Sequence, residues 1–263
     1  MKLGIIGGGV MGEVLARSVI QTQLFHADQV CILDHNPHKL KLIQDQTGIH
    51  ITSKLQDLNA AEMLILAIKP DNVKEILQGL NTQCLLISIV AGISLQMMSE
   101  LMPPQTPMVR VMTNTPCLVG EGMSVLAPNS HVSEAQLKTA QQVFAAVGET
   151  LILPEKYLDA VTGLSGSGPG FVFLIVDALI EAGVLQGLPR GIARQLVTQT
   201  LIGSAKLLEE SDRHPAQLRD MVTSPGGTTI AGIQVMEEYK LRATLLKTVE
   251  TATRRSRELG QKG

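Results

Sequence analysis

Over the first half of the chain, short apolar runs alternate with amphipathic stretches, and the runs are apolar at consecutive positions rather than at every second one. CLLISIV at 84–90 is representative. A strand of that kind is apolar on both faces, as strands of a parallel sheet covered by helices must be. The pattern predicts strands at 3–6, 30–33, 63–68, 85–90, 109–112, 124–126 and 150–153. Helices are expected between them at 11–21, 37–46, 72–80 and 95–101. One more helix is expected over 134–147, with Ser133 as N-cap and Gln136 completing a capping box. Alternation of β and α in this way implies an α/β fold with a doubly wound open sheet.

Beyond Pro154 the pattern changes. No further strand is expected, and helices are read near 156–164, 169–186, 190–210, 215–222, 228–237 and 240–259. The chain therefore divides into a Rossmann-like dinucleotide-binding domain, 1–154, and an all-helical domain, 155–263. FVFLIVDALIEAGVL within the second domain is apolar almost all round, so it has no face suited to water. A domain of about 110 residues has little interior in which to bury such a helix. A partner subunit would cover it, which predicts an interwoven homodimer or a higher oligomer of dimers; the simpler alternative is a central core helix.

Composition narrows the classes of function. A hydrophobic share of 44% against 17% charged residues is that of a globular chain and excludes disorder. With a net charge of -2 and only 2% aromatics there is no basic stripe and little to stack on bases, so nucleic acid is not expected as a partner. Cys31, Cys84 and Cys117 are far apart in apolar surroundings and read as reduced core residues; no Cys or His spacing suggests a metal. The N-terminal apolar run breaks at Gly7, too early for a signal peptide, and Asp177 and Glu181 make 171–188 a poor membrane span. A cytoplasmic protein is expected.

The clearest chemistry lies at the start. Gly7-Gly8-Gly9-Val10-Met11-Gly12 is G-x-G-x-x-G set directly after a strand and opening a helix. Gly7 allows the tight turn, Gly9 lets a pyrophosphate approach the backbone, and Gly12 lets the helix pack on the strand. The free amides at the helix start, Val10 and Met11 among them, suit an anion. Asp34 closes VCILD at the distance where an acid accepts hydrogen bonds from a ribose 2′-OH, which favours NADH. The alternative role for Asp34 is the N-cap of the next helix, before Pro37. His35, His38, Lys39 and Lys54 are near enough in sequence to offset its charge, so both NADH and NADPH stay open. Ala67-Ile68-Lys69-Pro70 closes a strand at the carboxyl edge of the sheet, where its backbone would pass under the cofactor. Lys69 is either structural or in contact with it.

Three later segments form a second group: Arg110 to Pro116 (RVMTNTP), Ser165 to Pro169 (SGSGP), and Thr223 to Thr229 (TSPGGTT). The last two are read as loops opening helices, whose N-terminal amides would hold a small carboxylate. Arg110 is expected to anchor its loop, and Ser165 and Ser167 serve either close helix packing or a ligand.

Taken together, these segments resemble the pyrroline-5-carboxylate reductase family, from Gly7 to the last helix. TSPGGTT within DMVTSPGGTTIAGI is the most specific match, supported in order by AIKP, NTP with VGEG, and DAVTGLSGSGP. The resemblance implies a Rossmann domain followed by a helical dimerisation domain, and reduction of 1-pyrroline-5-carboxylate to proline by NADPH or NADH. It places Thr162, Ser224, Thr229 and the amides of Gly226, Gly227 and Thr228 at the substrate, with Thr229 and Ser224 as the catalytic pair. Asn114 would lie close to the nicotinamide, and helical-domain residues would come from the other subunit.

The chain departs from the family at Thr113, where proline is usual and whose replacement would loosen the turn. Gly170 and Phe171 stand where alanine and tyrosine are usual, and Lys54 where asparagine is; a cation there would pair with a 2′-phosphate. Two competing readings are a related oxidoreductase acting on a 3-hydroxy acid or another imine, and a non-catalytic nucleotide-binding regulator. The first is disfavoured because 165–188 contains no lysine, which 3-hydroxy acid enzymes place in that helix.

Overall fold

The computed structural model describes residues 1–260. Eight strands form one sheet in the order β3-β2-β1-β4-β5-β6-β7-β8. They are β1 (Leu3–Ile6), β2 (Val30–Leu33), β3 (His50–Thr52), β4 (Met63–Leu66), β5 (Leu85–Ser88), β6 (Met108–Met112), β7 (Gly122–Pro128) and β8 (Gly148–Ile152). Every pair is parallel except β6 with β7. That exception follows from chain length, because only a short turn joins those two strands and a parallel return needs a crossover.

Five helices cover the sheet: α1 (Val10–Gln21), α2 (Pro37–Thr47), α3 (Val73–Gly79), α4 (Leu95–Leu101) and α5 (Glu134–Ala145). Consecutive strand residues go to opposite layers. Leu3, Ile5, Met63, Ile65, Leu85 and Ile87 join Leu15, Val19 and Phe144 on one side. Ile6, Leu64, Leu66 and Leu86 join Val73, Leu77 and Met98 on the other. This is why the strands read as unbroken apolar runs. The capping box at α5 forms as expected, with the Ser133 hydroxyl accepting from the Gln136 amide at 3.3 Å.

Several boundaries shift for local reasons. β4 stops at Leu66 instead of 68, and the chain turns through Pro70–Asn72 before α3 begins. β5 stops at Ser88, whose hydroxyl accepts from the Val90 amide at 3.2 Å and bends the backbone away. β3 was not expected at all; it is a three-residue edge strand, partly exposed and without an apolar run.

Contacts divide the described chain differently from the 1–154 and 155–263 division expected. One compact unit runs Met1–Ser167 and takes in the chain from Thr251 onward; the other is Gly168–Glu250. The chain leaves β8 as a continuous helical run, so no linker marks a boundary at 154. That run is a turn at Glu155–Tyr157, α6 (Leu158–Val161), a π-helical turn at Thr162–Gly166, and α7 (Gly168–Leu185). SGSGP is thus helical and not the loop expected. The last turns of α11 (Leu241–Gly260) lie in the first unit, where the Ser256 hydroxyl donates to Asp159 Oδ1 at 2.7 Å.

The second unit consists of α7, α8 (Arg190–Glu209), α9 (Pro215–Met221), α10 (Thr228–Glu238) and the first part of α11. α7 and α8 pack closely where Gly183 meets Ala193. No residue of α7 is buried, and Phe173 and Leu174 are 66% and 73% exposed. The helical run Glu155–Leu185 is long and apolar enough to cross a membrane by composition alone. The central-core-helix alternative therefore fails within a single chain.

Candidate active site

The order of strands reverses between β1 and β4, and an open α/β sheet binds ligands outside the carboxyl ends of its strands at such a point. A cavity of about 580 Å³ lies there. Its walls are Gly7 and Gly9 after β1, Asp34 to Asn36 after β2, Ala67 to Lys69 after β4, and Lys39, Asn72, Glu75 and Ile76 from the flanking helices.

Each glycine of the turn answers to a different constraint. Gly7 sits at φ 109°, in the left-handed region, with Ala67 so near that a Cβ would overlap its carbonyl. A Cβ on Gly12 would overlap the Gly7 carbonyl, so α1 rests directly on the turn. At Gly9 a Cβ would have only the Ala67 carbonyl oxygen within reach, at 3.9 Å. Bare backbone therefore faces the cavity where a pyrophosphate has to approach, and the residues fit a dinucleotide.

Asp34 is not the N-cap of α2. That role belongs to Asn36, whose side chain accepts from the Lys39 amide at 3.2 Å, with Pro37 at the first helical position. Asp34 Oδ2 instead accepts from the Gly8 amide at 2.8 Å, and Oδ1 from the Asn36 amide at 2.9 Å.

Of the residues expected to touch the cofactor, Gly7, Gly9, Asp34, Ala67, Ile68 and Lys69 line the cavity. Val10, Met11, Gly12, Lys54, Pro70 and Asn114 are not among its lining residues. Met11 turns into the apolar layer under the sheet, with its sulfur 3.4 Å from the Cys117 thiol. Lys54 begins the turn at Leu55–Leu58. Asn114 is held by the protein: its Oδ1 accepts from the Met123 amide at 2.8 Å, and its Nδ2 donates to Ser165. Asn72, Glu75 and Ile76 belong to no motif; their one signal is position, in the segment that leaves β4 after Pro70.

Thr113 does not loosen its turn, because its hydroxyl oxygen accepts from the buried Ser124 hydroxyl at 2.9 Å. Arg110, expected to anchor its loop, lies within β6. It pairs with Glu155 at 3.1 Å, and the same carboxylate oxygen accepts from the Leu95 amide at 2.8 Å.

In the first unit, Thr162 begins the π-helical turn and its hydroxyl donates to the Leu158 carbonyl at 2.8 Å. In the second unit, TSPGGTT makes a tight turn into α10. Gly226 takes φ 69°, and Gly227 lies so close to the Ser224 hydroxyl that a Cβ would overlap it. Gly227 is the N-cap of α10 with no side-chain cap, which puts Thr228 and Thr229 in the first turn. Their amides have no acceptor within the helix and are free for an anion.

The cysteines are inert by environment. Burial, with the nearby charge of Asp57 adding, pushes the Cys31 thiol up to about 11, and burial raises Cys84 and Cys117 as well. Among the described residues no group of His, Cys, Asp and Glu is placed to hold a metal.

Sheet order, glycine turn and cavity define a dinucleotide-binding α/β domain carrying a helical appendage. Residues 155–259 match the family model for pyrroline-5-carboxylate reductase dimerisation, and residues 2–92 that for NADP oxidoreductase, coenzyme F420-dependent. The chain is 42% identical to pyrroline-5-carboxylate reductase of Synechocystis, covering 100% of this chain and 99% of the relative. It is 39% identical to the Arabidopsis thaliana enzyme, covering 99% and 96%. A solved pyrroline-5-carboxylate reductase from Coxiella burnetii superposes with a TM-score of 0.93 at 32% identity, over 98% of each chain. One from Plasmodium falciparum with NADP bound gives 0.89 at 31% identity, over 99% and 98%. The chain belongs to the pyrroline-5-carboxylate reductase family.

Proposed function

We infer that the chain reduces the C=N bond of 1-pyrroline-5-carboxylate with NAD(P)H, giving proline. The observation that carries this reading is the TSPGGTT turn: Gly226 takes a left-handed φ of 69°, Gly227 packs against the Ser224 hydroxyl, and the helix they open leaves the Thr228 and Thr229 amides without an acceptor inside it. It sits in a chain that also has a dinucleotide cavity at the sheet's switch point.

The reduced nicotinamide supplies the hydride. A cyclic imine is readily protonated, and the resulting iminium carbon accepts hydride without a strong acid from the protein, so the demand on the chain is positioning in a dry pocket. We assign the substrate carboxylate to the amides of Thr228 and Thr229, with Gly226 and Gly227 shaping the turn, in which the Gly227 amide donates to the Ser224 carbonyl at 3.0 Å. The Thr229 hydroxyl hydrogen-bonds the ring nitrogen, and Ser224 completes the polar contacts of this turn. Charge at a helix N-terminus contributes about 0.3–1 kcal/mol when exposed and up to about 2 kcal/mol when partly buried, so several such contacts suffice to orient a small acid. Asn114 acts near the nicotinamide through the segment it holds, and Lys54, Pro70 and the α1 amides of Val10, Met11 and Gly12 remain on the cofactor side.

The working form is a homodimer, with a higher oligomer of dimers as its extension, and its place is the cytoplasm. The apolar surface of α7 supports the dimer. Asp177 and Glu181 on that helix, the latter paired with Arg190 at 2.6 Å, oppose a membrane role, since charges are costly in a bilayer. The 155–263 segment is the dimerisation and substrate unit in this reading.

The deciding experiment follows absorbance at 340 nm with 1-pyrroline-5-carboxylate and each reduced nicotinamide. Imine-dependent oxidation is expected, and Thr229→Ala should lower kcat/KM by about tenfold or more, the size of one hydrogen bond to a charged group. Full retention in a folded variant would remove Thr229 from the catalytic set. Absence of turnover in protein that binds nucleotide would refute the reading.

A further inference from the structure

Residue 169 is a proline, the second residue of α7. In an α-helix the carbonyl of residue 165 accepts from the N–H of residue 169, and proline has none. A carbonyl without a donor away from water is costly, so another N–H has to arrive. It comes from 51 positions back in the chain, where Asn114 Nδ2 donates to the Ser165 carbonyl at 3.2 Å. The other end of that side chain fixes its orientation. Oδ1 accepts from the Met123 backbone N–H at 2.8 Å, and a backbone N–H is only ever a donor. Asn114 is the N-cap of the turn Thr115–Val119, where asparagine ordinarily accepts from its own helix, yet it makes no such bond. Its side chain is given to β7 and Ser165 instead.

The backbone around Ser165 shows the consequence. The helix widens into a π-helical turn over Thr162–Gly166, and the Ser167 amide donates to the Thr162 carbonyl at 2.8 Å. Turns of this width are rare and fall frequently at functional sites. The Ser165 hydroxyl oxygen also lies 3.3 Å from Asn114 Nδ2. Gly166 rests on Met112, the last residue of β6, so closely that a Cβ would overlap its methyl group. Because β6 is parallel to β5, Met112 and Asn114 stand at the carboxyl edge of the sheet. The order β2-β1-β4-β5-β6 puts them on the side of the switch point away from Asp34. The nicotinamide half of a dinucleotide laid across that point runs toward this side.

We propose that Asn114 is a positioning residue that supplies the N–H Pro169 lacks, and that this bond holds the π-helical turn in the geometry hydride transfer requires. Pro169 removes one donor, the turn opens toward another, and Asn114 sets where the opened turn comes to rest. Asn114 acts on turnover through the Ser165 carbonyl, without touching the substrate. The proposal rests on the imine reduction inferred above.

The test is a double-variant cycle in the full-length protein, read by kcat with 1-pyrroline-5-carboxylate and by the denaturation midpoint. Asn114→Ala should lower kcat by between about tenfold and roughly hundredfold, the range reached by misplacements of up to about 1 Å. Calorimetric affinity for 5′-AMP should stay close to the parent's, because Asn114 is not in the wall of the cavity. Pro169→Ala returns an N–H to position 169. Asn114→Ala should therefore lower both readouts less in a Pro169→Ala background than in the parent. Asn114→Asp, made in the same two backgrounds, keeps the acceptor for Met123 and loses the donor to Ser165; it should follow alanine. A direct nicotinamide contact, or a clasp acting through Met123 alone, would show no relief from Pro169→Ala. Equal losses in the two backgrounds overturn the proposal, as does an Asn114→Asp variant with the parent's kcat. No imine turnover in the unaltered protein would refute the functional reading and the role in turnover with it. The midpoints alone would then decide whether Asn114 replaces the missing donor.

Discussion

Asn114 and Ser165, 51 positions apart, are joined by one side-chain amide: Nδ2 of Asn114 donates to the Ser165 carbonyl at 3.2 Å and to its hydroxyl at 3.3 Å. The other end of that amide accepts from the Met123 backbone at 2.8 Å. One residue therefore ties the end of β6, the start of β7 and the π-helical turn into a single arrangement. The residue expected at the nicotinamide is a clasp for the segments around it.

Asn114→Ala removes three hydrogen bonds and leaves the Met123 amide and Ser165 carbonyl to find other partners. A loss of about 1–3 kcal/mol is expected, the cost of leaving partly buried polar groups unpaired. The denaturation midpoint measures it. Asn114→Asp keeps the acceptor for Met123 but sets a carboxylate against the Ser165 carbonyl, and it should be no better than alanine. A variant as stable as the parent would show that the clasp is dispensable.

Gly12→Ala places a Cβ onto the Gly7 carbonyl, at a point fixed on both sides by β1 and α1. The turn has to move or the helix has to lift. Overpacking of this kind costs about 1–3 kcal/mol, and here it falls on the nucleotide cradle itself. Weaker dinucleotide binding should accompany the lower stability in one titration and one melt.

Arg110 is 14% exposed on its side chain and Glu155 30%, which makes their ion pair partly buried. Arg110→Met leaves Glu155 with only the Leu95 amide as partner. Stability should fall by about 1–3 kcal/mol, less than for a fully buried charge. Arg110→Met combined with Glu155→Gln should recover part of that loss. If the double variant is worse than the sum of the two singles, the pair is not the reason for the loss.

The bare surface of α7 predicts association. Leu174 is 73% exposed in the single chain, a large apolar residue on a helix with no buried position. Leu174→Arg should shift the protein from dimer to monomer, or to aggregate, in size-exclusion chromatography with light scattering. An unchanged dimer would place the interface elsewhere.

Alkaline pH should weaken the fold through Cys31. Its thiol is raised from 9.0 to about 11 in the folded protein, so the unfolded chain loses the proton first. The contribution is present in full below pH 9 and is lost progressively as pH rises through 9 to 11. Replacing Cys31 with alanine should flatten this part of the stability profile. The same shift predicts slow alkylation of the native protein at neutral pH, since the thiolate is the reactive form.

Much of this was legible in sequence because its causes are local. Apolar runs such as LGII and MLIL gave β1 and β4, Ser133 and Gln136 gave the start of α5, and the glycine spacing gave the turn after β1. The edge strand β3 was missed because three partly exposed residues carry no period. The helical state of Ser165 and Gly166 was missed because their glycine-rich composition reads as a loop.

The sequence by itself determined the α/β alternation, the all-helical second half, the glycine turn and the membership that TSPGGTT carries. Tertiary structure alone decided where side chains spend their hydrogen bonds. Asp34 stands at the position of a ribose acceptor, and the approach of Gly8 also makes it a brace for the glycine turn. Asn36, not Asp34, caps α2, and Asn114 faces Ser165 across 51 residues of chain. A residue's type and spacing fix what it is able to bind, and which neighbour arrives within hydrogen-bond distance depends on how distant segments pack.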